Sequence, residues 1–302
     1  MNAAARQSDH SSRGFLYGLA AYGLWGILPI YFKLVGRVSP FDIVAHRVLW
    51  SLPFLALLIA LARGWPKIRA AAGHAKTLGV LTLTALLIGG NWLLYVYAVT
   101  SGHILAASFG YYLNPLANVL LGRFVLKERL GRPQWLAVAI AAAGISVLAA
   151  GALGQLWISL TLCCSFALYG LLRKVVPVDA VTGLGVETML LFPLAAGWIA
   201  WRTADGAAVF GTTDMEGGLL LLAGIVSTTP LLLFTAAARR LAYSTLGMLQ
   251  FIAPTLQFLL AVLLYGEPFT SAHAIAFGAI WTALALYVSG LVRAPRLPQP
   301  PE

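Results

Sequence analysis

The chain has 302 residues, of which 60% are hydrophobic and only 10% charged. A soluble domain carries about 25% charged residues, and even one of about 300 residues buries only about 75% of the surface its unfolded chain exposes, so this composition excludes a soluble enzyme, a secreted disulfide scaffold and a disordered chain. The net charge of +10 is scattered in short clusters between apolar runs, which reads as membrane topology and not as a nucleic-acid surface.

Ten apolar segments approach the ~20 residues that cross a bilayer as a helix. They are 15–35, 41–62, 77–99, 104–126, 134–151, 153–172, 180–201, 217–238, 244–265 and 272–292. The predicted fold is an all-α integral membrane protein with ten transmembrane helices. The first run is too long for a signal-peptide core and lacks a small-residue cleavage site, so it is expected to stay as a span. Residues 1–13 read as a polar, disordered cytoplasmic tail and 293–302 as a Pro-rich cytoplasmic tail; residues 202–216, with Asp205, Asp214 and Glu216, read as a solvated exterior loop. Cys163 and Cys164 are adjacent inside a span, offer no disulfide framework or metal spacing, and read as packing residues.

The connections are short, so Lys and Arg orient the chain. Sixteen lie on one side: Arg6 and Arg13; Arg63, Lys67, Arg69 and Lys76; Arg123, Lys127, Arg129 and Arg132; Arg173 and Lys174; Arg239 and Arg240; Arg293 and Arg296. Lys33, Arg37 and Arg202 lie on the other, and Arg47 lies within a span. Both termini are therefore expected in the cytoplasm.

A shift of 139 residues lays Pro115 on Pro254, Glu128 on Glu267 and Gly151 on Gly290 without a gap; further upstream the register slips by one and pairs Arg47 with Glu187. The expected repeats are 14–151 and 152–292. Five spans is an odd number, so the two halves must be inverted, the arrangement on which secondary transporters build one central site.

The residues that carry a resemblance are YGLWGILPIYFKLV (22–35), AHRVLWSLPF (45–54), NWLLYVYAVTSGHILAASFGYYLNPL (91–116), KERLGRPQWLAVAIAAAGI (127–145), SFALYGLLRK (165–174), GVETMLLFP (185–193) and the run 229–269 from TPLLLF to YGEPF. Over about 15–292 the chain resembles the drug/metabolite transporter superfamily, EamA family, in its RarD-like subgroup. The resemblance implies ten helices in two inverted halves, a bacterial inner-membrane location and a transporter role.

Polar side chains in hydrocarbon must face the protein interior. Spans four and nine carry the clearest polar faces: Tyr111, Asn114 and Asn118 around Pro115, and their repeat mates Gln250 and Gln257 around Pro254. Asn91, Trp92 and Tyr95 of span three, Trp25 of span one and Tyr169 of span six complete the expected cavity lining, with rings able to stack on a flat or cationic solute. The alternative for the amides is interhelical hydrogen bonding alone. Spans five and ten are rich in small residues and read as packing helices, with a homodimer contact left open.

Arg47 and Glu187 are the clearest ionisable residues inside spans and are assigned to gating or coupling. Entering from opposite sides, each sits about 10 Å deep at 1.5 Å per residue, which places them in separate vestibules and not in one salt bridge. Glu187 is the natural carrier if a proton is the coupling ion. Lys33 and Asp42 read as a surface ion pair, and Glu128 and Glu267 as caps of the helices that follow them.

No Walker A, HExxH or GxSxG sequence occurs, which argues against an ATPase or an intramembrane enzyme. The expected function is secondary transport of small organic solutes by alternating access, with export or exchange as its direction; a non-transporting membrane subunit is the alternative. No cofactor, metal or nucleic acid is expected. The expected partners are a small organic solute, a proton as the coupling ion to test, and the lipid bilayer.

Overall fold

The computed structural model describes residues 3–35, 38–100, 104–149, 156–264 and 271–293. Arg37, Glu267, the repeat boundary at 151–152 and the tail from residue 294 lie outside the described residues.

Every element among the described residues is helical. In chain order they are α1 (Ala3–Leu34), α2 (Pro40–Leu61), α3 (Trp65–Gly73), α4 (Ala75–Thr100), α5 (Ile104–Phe124), α6 (Arg132–Ala149), α7 (Leu156–Val175), α8 (Ala180–Ala204), α9 (Asp214–Ala238), α10 (Tyr243–Gln250), α11 (Ile252–Leu259) and α12 (Ser271–Arg293), with a π-helical segment Leu260–Leu264 continuing α11. Six of them, α1, α2, α4, α7, α8 and α9, contain stretches long and apolar enough to cross a membrane. The protein is thus a multi-pass membrane protein.

Local chemistry sets the ends. Pro40 opens α2 and Pro66 stands in the first turn of α3, where a missing N–H costs nothing. Arg63, at φ 51°, turns the chain between them. Asp179 caps α8 by accepting from the Thr182 amide at 2.9 Å. Burial alone would raise its carboxyl, but the Thr182 amide and hydroxyl and the Lys67 ammonium hold it below the usual carboxylate range. Thr213 and Glu216 form a capping box at the start of α9.

Four expectations are corrected. α1 begins at Ala3, inside the tail expected to be disordered; its Ala, Arg and Gln are good helix formers that extend the membrane helix outward. The segment before α4 folds as the short helix α3, which buries Ile68 and Ala71. The loop 205–213, expected to be solvated, is partly packed: Val209 is buried, its carbonyl lies 2.8 Å from Nε2 of His46, and the Phe210 ring packs edge-on against that imidazole. Span nine is broken, because the Pro254 ring occupies the space of the carbonyl of Gln250, four residues back, and α10 ends there.

The helices pack in a definite order. α6 lies along α12, and α2 lies against α8 and α9. α1 packs on α9 and α11, α5 on α7 and α10, and α4 on α7 and α8. The central core is aromatic: Tyr22, Trp25, Phe166, Tyr169 and Phe234 form one cluster with centroid separations of 5.4–6.4 Å. Trp135, Trp157 and Trp201, near helix ends, are 40%, 55% and 57% exposed, as a membrane-interface belt requires.

α2 crosses α9 closely. A Cβ on Gly224 would overlap the backbone of Trp50 and Ser51, and the Thr228 hydroxyl donates to Ser51 Oγ at 2.6 Å across the same crossing. Gly224→Leu is expected to force the two helices apart at a cost of about 3 kcal/mol, the upper range for overpacking. Unfolding in mixed detergent micelles measures it; a wild-type midpoint for the variant would show that the crossing can yield.

Candidate functional site

A cavity of about 180 Å³ lies where α1, α2, α4, α5, α7, α9, α10 and α11 converge. Its polar lining is Arg47, Asn91, Tyr95, Tyr111, Ser227, Gln250 and Gln257; Trp25 and Trp92 add aromatic surface, and Tyr22, Leu28, Phe32, Ile88, Phe166, Leu231 and Ala253 add apolar wall.

Most of the polar side chains are held by a neighbour. Asn91 donates from Nδ2 to the Leu162 carbonyl and to Ser165 Oγ, both at 2.9 Å, which fixes its amide orientation. Its Oδ1 then faces Tyr111, whose hydroxyl donates to it at 3.2 Å. The Tyr95 and Tyr111 rings pack at 5.6 Å. Gln257 donates to the Trp25 carbonyl at 2.9 Å, and the carbonyl of Gln250 is the one freed by Pro254. Arg47 donates from Nε to Ser227 Oγ at 2.7 Å, and its guanidinium carbon lies 4.5 Å from the centroid of the Trp92 ring.

The structure separates the twelve residues singled out in the sequence. Trp25, Arg47, Asn91, Trp92, Tyr95, Tyr111, Gln250 and Gln257 border the cavity. Asn114 and Asn118 do not; both are fully buried. Asn118 donates to Gln250 Oε1 at 2.9 Å and so joins α5 to α10. Neither side-chain atom of Asn114 finds a partner among the described residues. Tyr169 is buried in the aromatic cluster. Glu187, 1% exposed, lies outside the cavity.

Glu187 belongs to a separate ionic centre. Its Oε1 is 3.5 Å from Nε of Arg173 and accepts from Thr84 Oγ1 at 2.6 Å; its Oε2 accepts from Tyr169 at 3.4 Å. Arg173, counted in the sequence with the loop charges, is in fact fully buried. Gly183 makes room for it, since a Cβ there would overlap the guanidinium. A second void of about 20 Å³, bordered by Trp92, Ser227 and Leu231 on one side and Glu187 on the other, separates this centre from the cavity and has room for one water. Asp42 likewise takes partners the sequence did not reveal: Trp198 donates to it at 2.9 Å and Arg202 pairs with it at 3.4 Å. The apolar wall residues of the cavity carry no sequence signal, because an apolar side chain within an apolar span is unremarked.

Accessibility follows from this placement. With Cys163 and Cys164 replaced, single cysteines at Tyr95, Tyr111 and Gln257 are expected to react with small hydrophilic thiol reagents, and cysteines at Asn114 and Asn118 at least tenfold more slowly, as their burial predicts. Equal rates at the two sets would mean that the cavity extends along the whole polar face of α5.

Residues 12–150 match the EamA-like transporter family. Among curated proteins, the chain is 47% identical over 283 residues to an "Uncharacterized transporter" of Vibrio cholerae, covering 93% of this chain and 94% of that one. It is 45% identical over 289 residues to "Protein RarD" of Escherichia coli, with 93% and 95% covered. It is 35% identical over 280 residues to "Chloramphenicol-sensitive protein RarD" of Pseudomonas aeruginosa, with 91% and 93% covered. A solved structure described as "Crystal structure of protein" superposes with a TM-score of 0.71 at 22% identity over 95% of this chain and 99% of that chain, a likeness of fold.

Proposed function

The chain belongs to the EamA-like transporter family, in its RarD-like branch, and from that premise we propose that it is a secondary transporter of small organic solutes working by alternating access, as an exporter or exchanger in a bacterial inner membrane. The observation that carries the reading is the central cavity, walled by amides and aromatic rings from both halves of the chain. A passive membrane subunit has no need of polar groups converging on a void in hydrocarbon.

The packing order supports inverted five-helix repeats. Taken in chain order, the expected repeats pair α1 with α7, α2 with α8, α4 with α9, α5 with α10 and α11, and α6 with α12. Exchanging each helix for its mate turns the α1–α9 contact into α7–α4, the α5–α7 contact into one of α10 and α11 with α1, and the α2–α9 contact into α8–α4. The contacts α2–α8, α5–α10 and α6–α12 map onto themselves. A pseudo-two-fold axis through the cavity produces such a pattern, and it lets the two halves exchange conformations around one site. In this reading α5, α6, α10 with α11, and α12 complete ten spans, and the Lys and Arg distribution supports cytoplasmic termini. α6 and α12 pack on each other and serve as scaffold.

Reconstitution in liposomes tests the proposal. Preloaded vesicles challenged with a labelled panel of small acids, amides, amines and zwitterions are expected to show saturable counterflow for one chemical class. An imposed pH gradient that drives its accumulation would identify the proton as the coupling ion. Counterflow no faster than in protein-free liposomes across the panel would remove the transporter reading.

A further inference from the structure

We propose that the solute is an organic anion, a small flat monocarboxylate whose carboxylate docks on Arg47; this rests on the transporter reading and names its substrate class. Among the described residues, Arg47 is the one charged residue bordering the cavity. Arg173 and Arg202, by contrast, are paired with carboxylates, Arg173 with Glu187 and Arg202 with Asp42. Among the described residues no carboxylate lies within ion-pair distance of Arg47. A guanidinium in a membrane interior needs an anion or water, and a cavity without a carboxylate repels a cation.

The side chain is also oriented for the task. Ser227 fixes Nε and Trp92 covers one face. The terminal nitrogens keep no acceptor among the described residues, so the planar fork that matches a carboxylate stays available. The rest of the lining describes the rest of the solute. Trp25, Tyr95 and Tyr111 offer ring faces and Ile88 and Phe166 an apolar floor. A void of about 150 Å³ accepts benzene, so the ~180 Å³ here holds one aromatic ring with a carboxylate. Of the flat or cationic solutes that the aromatic residues alone suggested, this keeps the flat one, since the cavity already holds a cation.

Benzoate, benzamide and benzylamine are near-isosteric probes that differ in charge. Binding to purified protein in lipid nanodiscs is read by quenching of tryptophan fluorescence, to which Trp25 and Trp92 in the cavity wall contribute. Benzoate is expected to bind about tenfold or more tightly than benzamide, the ratio that a charge-assisted fork gives over a neutral amide, with benzylamine weakest. Arg47→Gln should abolish the preference, with benzoate and benzamide binding to that variant within about twofold of each other, and Arg47→Lys should retain part of it. Benzamide or benzylamine binding as tightly as benzoate to the wild-type protein, or no saturable benzoate binding, would overturn the proposal without any variant. Unchanged benzoate affinity in Arg47→Gln would do so as well. Counterflow of neutral or cationic solutes but not acids would leave transport standing and remove the anion. Benzoate binding with no flux of any acid would do the reverse.

Discussion

Glu187→Leu is expected to destabilise the protein by about 3–5 kcal/mol, because it strands the fully buried Arg173 guanidinium beside Gly183 with no counter-charge. The effect comes from leaving one charge behind more than from losing the pair. Arg173→Met combined with Glu187→Leu should therefore recover most of the loss, since an apolar replacement of a buried pair of similar volume is close to neutral. Glu187→Gln, which a gating role would leave folded, is expected to fall between: it keeps the hydrogen bond from Thr84 but not the charge. Reversible unfolding in mixed micelles reads all three. A double variant less stable than either single one would mean that Arg173 and Glu187 act apart. The same geometry fixes the outcome of charge exchange. Glu187→Arg should be relieved by Arg173→Glu and not by Arg47→Glu, because Arg47 is held on Ser227 and Trp92 instead.

What the sequence made legible was whatever is written along one dimension. Segments 41–62, 77–99 and 180–201 fall almost residue for residue on α2, α4 and α8, since an apolar run of about 20 residues has few other destinations. Asn91, Tyr95, Tyr111, Gln250 and Gln257 reach the cavity because a polar group in an apolar helix has to leave the lipid face. The same rule fails to separate a wet interior from a dry one, and Asn114 and Asn118, one and two turns beyond Tyr111 along α5, end in packed protein. Helix α3 was missed because nine residues leave little periodicity to read. The Thr213–Glu216 capping box was present as a Thr-x-x-Glu spacing and could have marked the start of α9. Arg173 could not be placed from sequence. Its burial depends on Gly183 ten residues later and on Thr84 and Glu187 from other helices, and nothing in a span end announces that. Long-range ionic pairing of this kind is decided by packing.

The second large effect expected is at Glu128. The sequence cast it as a cap for the helix after it, but it caps α10, 115 residues away. Its Oε1 accepts from the Tyr243 amide at 2.5 Å, and its Oε2 accepts from the Ser244 amide at 3.0 Å and the Ser244 hydroxyl at 2.6 Å. Ala242, at the N-cap position, has no side-chain acceptor to offer, so the carboxylate supplies what the local sequence lacks. The chain after α5 is shaped for this reach. Lys127 sits at φ 57°, the Glu128 amide donates to the Gly122 carbonyl at 2.9 Å, and a Cβ on Gly122 would press on the carboxylate at 2.6 Å. α10 is only eight residues long and broken at its far end, where Gln250 borders the cavity, so its position depends on this cap more than a long helix would. Glu128→Ala is expected to cost about 2–4 kcal/mol, from the loss of charge-assisted bonds to three donors at a helix N-terminus. Glu128→Gln should lose most of the same amount, because its amide nitrogen is a donor turned toward donors. Ala242→Asp in the Glu128→Ala background gives α10 a cap of its own and should restore about 1 kcal/mol or more. Unfolding in mixed micelles measures the stability, and ligand quenching of tryptophan fluorescence measures whether Gln250 has shifted with α10. A Glu128→Ala protein within about 0.5 kcal/mol of wild type, the ordinary range for a surface substitution, would show that α10 is held by packing alone.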